Sequence, residues 1–288
     1  MKRQEFRCLH RLRVRWSEVD LQGIVFNAHY LTYFDVGITE YWRQLGLPYQ
    51  QAMQQLGGEP VVRKATLEYD AAARLDDWLE VGLRCERIGH TSLTMTAALW
   101  RGQQRLVSGE IVYVFVDLAQ QRARPVPDAL RDLIEGFERG EPMLRVVTGG
   151  WNELRADAAP LRRAVFVQEQ GIAEQEEWDE ADAQALHAVA YNRLGQAVGT
   201  GRLLQAEPGV GKIGRMAVHA ALRGIGVGAR LLQALTQAAQ ARGDHTLRLS
   251  AQHSAIGFYQ RHGWEPVGAP YDEVGIPHQA MQRRLTAA

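Results

Sequence analysis

Apolar residues in this chain recur in two rhythms, and the rhythm changes at defined places. Leu31, Phe34, Ile38, Tyr41, Trp42 and Leu45 follow one another at three- and four-residue steps and stop at Gly46. That spacing lays one apolar stripe along a helix of about five turns. The period then shortens. Residues 60–69, 78–88, 92–101 and 105–117 are strand-like, with Gly89-His90 and Gly102 in the turns between the later ones. One long helix followed by four strands predicts an α+β unit built on an antiparallel sheet.

From about residue 145 the elements alternate differently. Residues 161–170 close a first helix, and an acidic run occupies 174–182. Leu186-His187-Ala188-Val189 and residues 198–203 form a hairpin with Gly195 in its turn. A strand at 213–218 runs into Arg223-Gly224-Ile225-Gly226-Val227-Gly228. Directly behind it Leu231, Leu232, Leu235, Ala238 and Ala239 take helical spacing. Residues 246–251 alternate as a buried strand, and 255–262 form a short helix carrying Phe258-Tyr259. Gly263-Trp264 opens the next strand, and Gly275-Ile276-Pro277-His278 leads into a last one ending near Leu285.

Length agrees with two units, since 288 residues are many for one core and ordinary for two. Gly140, Pro142, Gly149 and Gly150 punctuate the junction. Lys and Arg total 33 and Asp and Glu 33, and each half balances: 18 against 18 through Gly140, 15 against 15 from Glu141 on. No basic face for nucleic acid is implied. No stretch reaches bilayer length and residues 1–10 lack signal-peptide form, so the expectation is a cytoplasmic protein without membrane contact. Cys8 and Cys85, with no CxxC and no metal spacing, fit a reduced compartment and no metal.

The glycine segment carries chemistry. Backbone N–H groups at a helix start lack partners, and glycines let a ligand approach them, which makes a cradle for a pyrophosphate. Arg-x-x-Gly-x-Gly after such a strand resembles the acetyl-CoA loop of the GNAT acyltransferases, and the element order resembles the ElaA-like branch over residues 145–288. The resemblance implies an α/β domain with a mixed sheet flanked by helices, transferring acetyl from acetyl-CoA to a small-molecule or peptide amine. It assigns cofactor contacts to Met216, Ala217, Val218, Arg223, Gly224, Gly226, Val227 and Gly228. Tyr259 matches the general acid that protonates the leaving thiolate; the competing reading is a core tyrosine. Glu169, His187 and His278 are the candidate bases. Arg202 and Arg215 either line the acceptor site or pair with the acidic run. Gly209 to Gly214 spells G-x-G-x-x-G, but it precedes a strand and opens no helix, so a dinucleotide site is excluded.

In the first half, Asp-x-x-Gly-Ile-Val-Phe-Asn-x-x-Tyr before the long helix resembles the hotdog acyl-CoA thioesterases of the 4-hydroxybenzoyl-CoA and YbgC type. That family implies an α+β hotdog domain over residues 1–140 and acyl-CoA as substrate. Asp20 matches its carboxylate, which either activates water or attacks the thioester. Asn27 falls where the carbonyl is polarised from the helix start, and Gly23 permits the turn between them. YbgC-type enzymes commonly carry His where this chain has Asn27; here His29 stands two positions later. Asp35 matches a frequent acidic position, and Gly89, Thr91 and Ser92 match a turn near the CoA phosphates. An ordinary capping aspartate and a bland hairpin turn are the competing readings. The family also implies a homodimer or homotetramer. Either both halves act on CoA thioesters, or one is an acyl-CoA-binding or oligomerising module.

Overall fold

The strand segments of the first half join one antiparallel sheet, with one strand more at each end than the alternation predicts. In the computed structural model, which describes residues 1–285, the chain separates after Met143 into two units. The first contains β1 (Cys8–Arg13), α1 (His29–Gln44), α2 (Tyr49–Leu56), β2 (Glu59–Tyr69), β3 (Trp78–Ile88), β4 (Ser92–Arg101), β5 (Gln104–Asp117), β6 (Arg122–Ala123) and α3 (Asp128–Glu138). Its sheet order is β1-β3-β4-β5-β2, with β6 beside β5.

Helix α1 buries Tyr30, Tyr33, Phe34, Gly37, Ile38, Tyr41 and Trp42, one face at three- and four-residue steps. It packs on β1 and β3. Gly37 sets the approach: a Cβ there would stand 2.4 Å from Leu83 Cδ2 and 2.6 Å from Val81 Cγ1. Strands β4 and β5 are largely buried, whereas β2 is mostly exposed and leaves Val61 and Val62 about half in solvent. Helix α3, absent from the sequence reading, buries Leu130, Leu133, Ile134 and Phe137. Its last residue, Glu138, accepts hydrogen bonds from Tyr41 Oη at 2.7 Å and from the Cys85 amide at 2.8 Å.

The second unit contains β7 (Leu144–Gly149), α4 (Trp151–Arg162), α5 (Glu174–Glu177), β8 (Leu186–Asn192), β9 (Ala197–Glu207), β10 (Val210–Val218), α6 (Val227–Arg242), β11 (Thr246–Gln252), α7 (Ile256–Arg261), β12 (Glu265–Pro266), β13 (Tyr271–Glu273) and β14 (Ile276–Arg284). A π-helical stretch, Arg163–Glu169, continues α4. The sheet order is β12-β14-β11-β10-β9-β8-β7, with β13 on β14. Only β10 and β11 run parallel among the described strands, because α6 is the crossover between them. Their pairing stops at Lys212 and Arg248, while β10 stays paired with β9 to Val218. A bulge between Gly214 and Ala217 puts Arg215 at φ 51° and re-aims the strand. The sheet therefore splits at its middle.

Candidate active sites

In the second unit the split opens into a cavity of about 260 Å³. Met216 and Arg215 line it from β10, Phe166 from the π-helical stretch, Gln170 from just behind it, Tyr259 from α7 and His278 from β14. A strand whose inner edge has lost its neighbour presents unpaired backbone groups to whatever fills the gap. Ala217 is buried against Val165 and Phe166. Val218 turns toward α6, where its carbonyl accepts from Arg223 Nε at 3.3 Å.

The glycine segment lies as its spacing predicts. Gly226 is the N-cap of α6 with φ 94°, Gly224 has φ 88°, and no side chain caps the helix. A Cβ on either glycine would meet nothing within 4 Å, so both are required by backbone conformation and leave open space before the helix. Val227 is buried in the core, and Gly228 packs near Phe258. First-turn N–H groups at such an end attract an anion.

Tyr259 is 8% exposed, and burial pushes its phenol up to about 12. Its hydroxyl has no hydrogen-bond partner among the described residues, and the residue lines the cavity. The three proposed bases separate. Arg223 grips Glu169 through both terminal nitrogens, each at 2.6 Å, and that hydrogen bonding holds the carboxylate below its ordinary value. Glu169 is outside the cavity lining. His187 is 1% exposed, donates from Nε2 to the Asp182 carbonyl at 2.9 Å and lies against Trp151; burial lowers its pKa. It too is outside the lining. His278 is the one of the three that lines the cavity.

The acidic run is caged by arginines. Arg162, 1% exposed, lies against the rings of both Trp151 and Trp178, 5.2 and 4.7 Å from their centroids. It bonds Glu177 through Nε and Asp182 through Nη1. Arg202 takes Asp179 and Asp182, and Arg215 takes Glu177 and Asp179. Burial raises Glu177 despite Arg162. The Arg202 hydrogen bonds lower Asp179; at Asp182 burial pushes upward but Arg162 and Arg202 outweigh it. Arg202 and Arg215 pair with the run, as one of the two readings of their positions expects, and both also line the cavity. Arg162 was not read from sequence, because its partners stand 15 and 20 positions away.

In the first unit, Asp20 lies in a tight loop closed by the Val19–Val25 bridge. Its Oδ1 accepts from the Gln22 amide at 2.8 Å, and Oδ2 has no protein partner among the described residues. Gly23 takes φ 71° in that loop. Asp20 does not cap α1, whose N-cap is Ala28. Asn27, exposed just ahead of that helix, accepts from Tyr69 Oη through its carbonyl at 3.3 Å. Leu21, Phe26 and Tyr69 stand exposed around it. Asp35 sits exposed on α1, and partial burial of its carboxyl raises its pKa.

Gly89, Thr91 and Ser92 form the β3–β4 turn, which Arg131 of α3 clamps through the Ile88 and Gly89 carbonyls at 3.0 and 2.8 Å. The Asp20 loop pairs with Ala73 and Arg74, just before β3 begins. The turn lies at the other end of that 11-residue strand, roughly 35 Å away. One protomer does not bring the two together.

Among the described residues no group of three His, Cys, Asp or Glu side chains is placed to hold a metal, and no helix is long and apolar enough to cross a membrane. Residues 14–134 match the thioesterase-like superfamily, and residues 155–285 match the acetyltransferase (GNAT) domain. The uncharacterized N-acetyltransferase YjcF of Bacillus subtilis is 34% identical over 141 residues, 49% of this chain and 99% of that protein. The acyl-CoA thioester hydrolase YbgC of Escherichia coli is 32% identical over 120 residues, 41% of this chain and 89% of that protein. The crystal structure of Escherichia coli ElaA is 30% identical and covers 49% of this chain and all of its own, with a TM-score of 0.45.

Proposed function

Because the chain belongs through its first unit to the thioesterase-like superfamily and through its second to the GNAT acetyltransferases, we propose that it is a two-site enzyme of CoA thioesters. The first site hydrolyses an acyl-CoA; the second moves acetyl from acetyl-CoA to an amine. The observation that carries the second activity is the split between β10 and β11 beside the uncapped glycine start of α6. The pantetheine arm of CoA pairs with the freed edge of β10 while the CoA pyrophosphate meets the first-turn amides. The acceptor nitrogen attacks the acetyl carbonyl in the cavity, and Tyr259 gives its phenolic proton to the departing thiolate. A phenol held near 12 stays protonated at neutral pH, as a donor must.

At the first site Asp20 supplies the carboxylate, with Oδ2 available to water or to the thioester carbonyl. Amides at the start of α1, next to Asn27, stabilise the oxyanion. The site is completed by a second copy. Asn27 sits at the Tyr69 end of β2, and the Gly89–Ser92 turn sits at the other end, where Pro60 pairs with Phe115 and the Phe115 amide donates to Thr91. If the exposed β2 pairs with its copy about a two-fold axis, the partner's turn comes to this protomer's Asp20 loop. Either Asp20 chemistry, base or nucleophile, fits this arrangement.

The test is release of free thiol from a panel of acyl-CoAs, with and without primary amines. Release without amine reports the first site, and amine-dependent release reports the second. Silence of both sites toward every acyl-CoA would refute the proposal. One site active and the other only binding would favour the reading in which one unit is a binding or oligomerising module.

A further inference from the structure

Resting on the acetyl-transfer reading, we infer that His278 is the group that takes the acceptor's proton. Three histidines of the second unit donate a ring nitrogen to a backbone carbonyl: His187 to Asp182, His262 to Phe258 and His278 to Ile276. A carbonyl only accepts, so each of these contacts fixes a tautomer. For His278 the contact is Nδ1 to the Ile276 oxygen at 2.7 Å. The proton sits on Nδ1, and the lone pair of the neutral ring is therefore on Nε2.

That nitrogen has no protein partner among the described residues, and the ring lines the cavity that also holds Tyr259. Neither His187 nor His262 lines it. The ring is also held in place. Tyr271 stacks on it with centroids 6.2 Å apart and planes at 24°, and the Tyr271 hydroxyl is tied to Ser250, which in turn donates to Glu273 at 2.9 Å. A base needs an open lone pair, a fixed ring and a place at the reacting atoms. His278 has the first two, and the cavity supplies the third.

The step balances as follows. The acceptor nitrogen forms a C–N bond to the acetyl carbon and loses one proton to His278 Nε2. The C–S bond breaks, and the thiolate takes one proton from Tyr259. The imidazolium and the phenolate then recover their resting states by exchanging one proton with each other or with solvent, and no further reactant is consumed.

The cationic groups around the cavity are no alternative base. Arg202 and Arg215 are paired with Glu177, Asp179 and Asp182, and Lys212 is a cation. Glu273 and Glu176 also line the cavity; Glu273 is the neighbour most able to share the role, since Ser250 already orients it.

The test uses the full chain with bromoacetyl-CoA, which carries an alkylating carbon where the acetyl group would sit and needs no known acceptor. Nε2 displaces bromide, forming a C–N bond, and peptide mass analysis locates the adduct. The expected result is label on His278. His278→Gln should take up label in this unit at least about tenfold more slowly while binding acetyl-CoA within about threefold of the parent. Both cysteines lie in the first unit, so a thiol adduct is distinguishable by its peptide. Label on Glu273 or another residue of the second unit, with acetyl-CoA bound normally, overturns the assignment and leaves the acetyl-transfer reading standing. Failure of acetyl-CoA to bind the parent overturns that reading itself. Nitrogen-15 resonances of the unmodified protein give a check that needs no variant: Nδ1 protonated and Nε2 bare supports the inference, and the reverse tautomer refutes it.

Discussion

The two candidate sites differ in how much of each a single chain supplies. In the second unit one polypeptide provides the split sheet, the glycine start of α6, a tyrosine lining the cavity and a charge cage with three arginines against three carboxylates. In the first unit the Asp20 loop lies open beside exposed Leu21, Phe26 and Tyr69, with the β3–β4 turn a strand's length away. A site folded around its own core can work alone. A site laid on an uncovered edge waits for a second surface, and large exposed apolar side chains beside it point the same way.

Separating the units tests the contrast most directly. Residues 144–288 alone are expected to be monomeric and to bind acetyl-CoA, while residues 1–143 alone are expected to be dimeric or larger by analytical ultracentrifugation. A folded monomer of residues 1–143 that hydrolyses acyl-CoA at the parent rate would end the comparison. Next in size is Asp20→Asn, which removes charge and basicity at nearly constant volume. Acceptor-independent hydrolysis should fall by about 10²–10⁴-fold, with the oligomer retained and acetyl transfer unchanged. A rate within a few-fold of the parent would remove Asp20 from the chemistry, and a dissociated oligomer would make it structural.

Arg162→Ala sharpens the other side. It leaves Glu177 and Asp182 buried without their shared cation and removes the guanidinium packed against two indoles, so the second unit should lose about 3–5 kcal/mol in denaturant unfolding. A loss under about 1 kcal/mol would mean the cage is not what holds the acidic loop. Gly226→Glu should weaken acetyl-CoA binding to residues 144–288 at least about tenfold, or about 1.4 kcal/mol, by placing a side chain at φ 94° and a negative charge at the phosphate cradle. Calorimetric titration reads it, and unchanged affinity in a folded variant would show that this loop is not the cradle.

The smallest effect is the acid response of the cage, and its parts have opposite signs. Glu177 is raised in the folded state, so acidification through its folded value relieves a cost and stabilises slightly. Asp179 and Asp182 are lowered, so their contribution is complete above the ordinary aspartate value of 3.8 and is lost as pH falls below it through their folded values. Urea midpoints of residues 144–288 should therefore rise shallowly on acidification and then drop. Glu177→Gln should remove the rise and keep the drop; a rise that survives in that variant belongs to another group.

Much of this was legible beforehand because it depends on short-range pattern. The apolar stripe of α1, the Gly195 turn and the glycine start of α6 are each contained within a few turns of chain. Helix α3 carries the same signal in Leu130, Leu133, Ile134 and Phe137, at the same three- and four-residue steps. Strand β1 was harder, since its burial does not alternate cleanly from Cys8 to Arg13 and its register comes from β3, some 70 positions on. The arginine cage joins residues from α4, the acidic run and two strands, so no local pattern announces it. Residue type alone leaves Glu169, His187 and His278 all able to accept a proton. What separates them is what the fold placed beside each.

Gly37 has a reach beyond its own contact. Because no methyl stands between it and Leu83, α1 rides on the sheet at a height fixed near its middle, and Asn27 sits just ahead of its first turn. The elevation of the amides at the start of the helix is thus written ten residues downstream of Asn27, on the buried side of the helix. A side chain at position 37 would tilt or lift the helix as a rod on a bearing and displace the first candidate site without touching it.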